Sequence, residues 1–156
     1  MQNSETDVEN TTLTIPSRPF GLAASTTIHC LTGCSIGEII GVAIGVEIGL
    51  QPLYTALLAT VLAFISGFAL TLVPMARAGQ SIRESFRIVW LGEVVSISTM
   101  EVVMNSVDYM AGGMTAGSMW TSQFWSAMLL AIAAGYMAGY PVNYWMLSKG
   151  IKSKCH

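Results

Sequence analysis

"HCLTGCSIGEIIGVAIGVEIG", residues 29–49, decides the fold class. It reads as part of a membrane helix, yet it begins with His29, Cys30 and Cys34 and carries Glu38 and Glu47. Glycine recurs at every fourth position: Gly33, Gly37, Gly41, Gly45 and Gly49. Four residues advance a helix by about 400°, so each glycine is turned about 40° from the last. The five make a slowly winding groove of the small-xxx-small kind, which lets a second helix approach closely in lipid. A helix of the same chain, another membrane subunit or a second copy would each fit the Gly33–Gly49 groove.

The rest of the chain agrees with a membrane class. Of its 156 residues, 53% are hydrophobic and 10% charged, against about 25% charged in a soluble domain. A span needs about 20 mostly apolar residues. Four segments qualify, at about 24–50, 53–75, 88–111 and 124–147. The expected fold is therefore all-α, an integral membrane four-helix bundle occupying 21–150. A soluble bundle would need polar helix faces, which the second and fourth spans lack. Residues 1–20 are polar and acidic, without the basic start and apolar core of a signal peptide. They are expected to form a disordered tail, and 151–156 a short C-terminal one. All seven Lys and Arg fall before the first span, between the second and third, or after the fourth. The positive-inside rule then puts both termini in the cytoplasm. Trp90, Trp120, Trp125 and Trp145 lie near span ends, as interfacial aromatics do.

The chemistry lies beside the glycines. Cys30, Cys34 and Glu38 recur at i, i+4 and i+8, flanked by His29. A charge near the bilayer centre costs at least ~2.5–3.5 kcal/mol, so Glu38 should face the bundle interior. The third span offers a matching face. On a helical wheel with Glu93 at the origin, Met100 falls at about −20° and Met104 at about +20°. Asp108 follows at about +60°, Glu101 at about +80° and Asn105 at about +120°. No Lys or Arg lies within a span to neutralise these acids, so they hold protons or a cation supplies the charge. The first and third spans run the same way. Counting from the cytoplasmic side puts Cys34 level with Glu93–Ile97 and Glu38 level with Met100.

Thiolate and thioether donors select Cu(I), and imidazole suits copper and zinc alike. The candidate metal ligands are His29, Cys30, Cys34 and Glu38 on one span and Glu93, Met100, Glu101 and Met104 on the other. Each has a plainer reading alone: methionine and cysteine as packing residues, His29 as an interfacial group. Cys30 and Cys34 stand one helical turn apart, which strains a disulfide. Cys155-His156 reads either as a frayed tail or as a cytoplasmic handoff site. No Ser-His-Asp set or phosphate-cradling loop is present, and His29-Cys30 has the wrong order for haem attachment. No basic run suggests nucleic acid. The chain is not expected to be an enzyme by itself.

"HCLTGCSIGEIIG" at 29–41, "VLAFISGFALTLVPMARAG" at 61–79, "VVSISTMEVVMN" at 94–105 and "YPVNYWMLSKG" at 140–150 resemble domain-of-unknown-function family 4396. The resemblance covers about residues 26–150. It implies a small prokaryotic four-helix protein of the plasma membrane. It also implies a copper connection through His29, Cys30, Cys34, Met100, Glu101 and Met104. The leading expectation is a membrane protein that binds Cu(I) for transfer or homeostasis. The alternatives are a non-catalytic accessory subunit of a larger membrane enzyme, such as a copper oxygenase or oxidase, and a bundle conducting protons or cations along Glu38, Glu93, Glu101 and Asp108.

Overall fold

The computed structural model describes residues 19–150. The polar tail, Arg18, Lys152, Lys154 and Cys155-His156 lie outside the described residues. Four helices follow in order: α1 (Pro19–Glu47), α2 (Pro52–Arg77), α3 (Ile82–Ala111) and α4 (Ser122–Ser148). Each is long and apolar enough to cross a membrane. Local chemistry sets their ends. Pro52 opens α2, where its missing N–H is not needed. The Thr121 side chain accepts from Phe124 N and caps α4. Gly112, at φ 81°, closes α3 in the left-handed region that favours glycine.

Helix boundaries depart from the sequence expectation in three helices. α3 begins at Ile82 rather than near 88, and α2 runs on to Arg77. The stretch 76–87 reads as a connection in the sequence, but only 78–81 serves as one. Arg83, Glu84 and Arg87 are good helix formers, and Glu84 sits in the first turn of α3, where the helix dipole favours an acid. α1 likewise starts at Pro19 and ends at Glu47, before Gly49 turns the chain at φ 70°.

The glycine groove is filled from within the chain. A Cβ built on Gly33 would lie 2.7 Å from Gly67 Cα. On Gly37, Gly41 and Gly45 it would collide with Ala63, Ala59 and Thr55 in turn. These α2 residues form a matching small stripe, buried at every fourth position from Thr55 to Thr71. Ser66 donates across the seam to the Gly33 carbonyl at 2.6 Å. The expectation of an external partner at this groove is therefore corrected over Gly33–Gly45: α2 occupies that face. Gly49 lies past the helix and takes no part.

α3 and α4 make the second close pair. α1 also meets α4, and α2 meets α3, closing a ring in which α1 and α3 touch across the diagonal and α2 and α4 do not. The α1–α2 and α3–α4 connections share one end of the bundle. There Glu47 Oε1 accepts from Ser118 Oγ at 2.7 Å and Met119 N at 2.8 Å. Toward the other end, a buried clamp joins three helices. Asn143 Nδ2 donates to Thr27 Oγ1 at 3.1 Å, and Ser96 Oγ donates to Asn143 Oδ1 at 2.9 Å.

Candidate cation site between helices 1 and 3

Of the arc expected on α3, Glu93, Met100, Glu101, Met104 and Asp108 are buried and Asn105 is half-buried; Ser96 and Ile97 are buried beside them. The arc meets the Cys30–Cys34–Glu38 row of α1 along the diagonal. The Cys30 thiol donates to Glu93 Oε2 at 3.6 Å. Two turns on, Glu38 meets Glu101 with the same offset of 63 residues that relates Cys30 to Glu93. A constant offset means two parallel helices in register, with Cys34 between the two pairs. Cys34 lies within electrostatic reach of Glu93, Glu101, Glu38 and Cys30. The expected level of Glu38 holds to within one residue. The same offset puts Cys34 level with Ile97, within the expected Glu93–Ile97 range, and Cys30 level with Glu93.

Burial of these groups is nearly complete. Glu38 is 0% exposed, Glu93 1%, Glu101 2% and Asp108 0%. No hydroxyl, amide or ammonium donor reaches either Glu38 oxygen. The two acids can therefore hydrogen-bond to each other only with a proton between them. Glu101 is held from its far side by Asn105, whose Nδ2 donates to Glu101 Oε2 at 3.2 Å, Glu101 O at 2.9 Å and Thr60 Oγ1 at 3.3 Å. Asp108 lies within electrostatic reach of Glu38 and packs where a Cβ on Gly113 would have to sit. The four basic residues described, Arg77, Arg83, Arg87 and Lys149, are all exposed at the opposite end.

The sulfur atoms gather beside the acids. Cys30, Cys34, Met100 and Met104 belong to one buried cluster with Ala63, Ile97 and Ala131. The two thiols form no disulfide. The methionines lean toward α4: a Cβ on Gly135 would lie 2.7 Å from Met104 Sδ, and one on Gly139 would lie 3.3 Å from Met100 Sδ. His29 is half-buried at the rim, with Nε2 lacking a hydrogen-bond partner. Among the described residues, no three His, Cys, Asp or Glu side chains converge as a ready metal cage. The eight candidate ligands thus do not form one coordination sphere. They form a file: Cys30 with Glu93, then Cys34, then Glu38 with Glu101, with the thioethers alongside.

Sequence reading missed the Gly135/Gly139 pair that seats the methionines, although its GxxxG spacing is visible. It also missed Asn143, the single amide within an otherwise apolar fourth span.

The arrangement is that of a four-helix bundle, apolar outside and lined inside by acids and sulfur. The model of the family described as Domain of unknown function (DUF4396) matches residues 20–152, and the chain belongs to that family. No curated protein and no solved structure matches the chain.

Proposed function

We propose that this is a multi-pass membrane protein of the prokaryotic plasma membrane that holds a monovalent soft cation, Cu(I), between α1 and α3 and passes it along the bundle. One observation carries the reading: two thiols and two thioethers share a buried cluster beside four buried carboxyls, and every described basic residue lies elsewhere. Buried acids need a proton or a cation, and sulfur donors select Cu(I) over harder ions. Two thiols of one row, Cys30 and Cys34, would be the inner station. Met100 and Met104 would join by small rotations away from the α4 glycines. The termini would lie in the cytoplasm, since Arg77, Arg83, Arg87 and Lys149 cluster at that end.

Elemental analysis of natively purified protein tests this. Copper should be present in the native chain and absent from Cys30→Ser/Cys34→Ser. Metal-free native protein that takes up no Cu(I) on titration would remove the reading.

A second reading, proton or cation conduction, is favoured by the four buried acids Glu93, Glu101, Glu38 and Asp108 along the interior. It needs no sulfur. Flux through liposomes carrying Cys30→Ser/Cys34→Ser, but not through those carrying Glu101→Gln, would select it.

A further inference from the structure

At the end of the molecule that carries the 48–51 and 112–121 connections, α2 and α3 part to leave a groove. Gln51, Leu53, Ala56, Ser106 and Tyr109 line it, together with Asn105. Asn105 belongs both to the groove and to the interior. Its amide nitrogen is taken up by Glu101 and Thr60. Its Oδ1 is buried without a hydrogen-bond partner. A buried acceptor left without a donor costs about 1–3 kcal/mol, so it marks a place where something else is bound. Asn105 lies six residues before the end of α3, about 9 Å along the helix, so it is reached from that surface well before mid-membrane.

We infer that this groove is the mouth of the interior site: a small monovalent cation enters between α2 and α3 and passes the Asn105 carbonyl to reach Glu101 and Glu38. The inference rests on the interior being a cation site. It adds the route, the side of access and the residue at the threshold. Asn105 suits the task because an amide oxygen ligates a cation without adding a charge that would trap it.

The test uses the full chain in liposomes of known orientation, as Cys30→Ser/Cys34→Ser/Cys155→Ser/Asn105→Cys. A membrane-impermeant cationic thiosulfonate should modify this thiol about tenfold faster from the side of the 112–121 connection than from the side of the 78–81 connection. Ser106→Cys in the same background shows that the reagent reaches the rim. Equal rates from both sides, faster reaction from the 78–81 side, or no reaction at residue 105 while residue 106 reacts, would overturn the mouth. Independently, Ala56→Trp should slow Cu(I) loading of the otherwise native chain by about tenfold. An unchanged loading rate overturns the mouth and leaves the cation reading standing. Failure of the native chain to load Cu(I) removes the copper reading, and the thiosulfonate result then decides the mouth alone.

Discussion

Glu38 of α1 and Glu101 of α3 meet carboxyl to carboxyl inside the bundle, and no described basic side chain stands near them. Two such groups cannot both stay charged at this depth without a counter-ion. The pair therefore ties the stability of the interior to what it binds, and its variants should separate folding from binding.

Glu38→Gln supplies an amide donor to Glu101 and removes one acid. The variant should fold at least as well as the native chain, by up to about 1 kcal/mol in detergent unfolding, while losing most of its bound cation. Glu101→Ala removes one of the three acceptors of Asn105 Nδ2 and leaves Glu38 without its partner, and should cost about 1–3 kcal/mol. A Glu38→Gln protein that is clearly less stable, with its metal content unchanged, would contradict this account.

The α1–α2 seam depends on having no side chains. Gly37→Leu drives a side chain into the Ala63 backbone, and overpacking of this kind costs about 1–3 kcal/mol or prevents docking. Gly21→Ala is the control, with nothing within 4 Å of the added carbon. It should be neutral or slightly stabilising, by about 0.5–1 kcal/mol. Thermal unfolding of the two variants checks the contrast.

Met100→Leu/Met104→Leu keeps the volume that fills the Gly139 and Gly135 hollows. The fold should lose less than about 1.5 kcal/mol, while Cu(I) affinity measured by chelator competition drops about tenfold or more. Unchanged affinity would assign both methionines to packing alone.

Asn143→Leu removes the hub that joins Thr27 and Ser96. Hydrogen bonds between membrane helices average about 0.6 kcal/mol and reach about 1.7 kcal/mol, so two lost together should cost about 1–2 kcal/mol. Equilibrium unfolding in mixed micelles measures it.

Alkaline phosphatase fused after Gly117 should be active, and the same enzyme fused after Gly79 inactive, because the basic residues flank the 78–81 connection. The opposite pattern would reverse the orientation and move the Asn105 mouth to the cytoplasmic side.

The sequence alone determined four apolar helices, because length and hydropathy are local properties that tertiary contacts do not alter. It also determined the inward arc of α3, since a 3.6-residue period assigns Glu93, Met100, Glu101, Met104 and Asp108 to one side whatever packs there. The tertiary structure decided which surfaces meet. The glycine groove was visible, but its partner, the Thr55–Thr71 stripe of α2, emerges only when two small-residue rows are laid together. The offset that pairs Cys30 with Glu93 and Glu38 with Glu101 depends on the relative height of two helices, which the connection lengths leave free by about a turn. The leaning of Met100 and Met104 onto Gly139 and Gly135, and the opening at Asn105, come from how four helices share one interior. "HCLTGCSIGEIIGVAIGVEIG" holds both kinds of information: its glycines face a neighbour that the sequence left open, and its acid and thiols face a helix whose polar side was already legible.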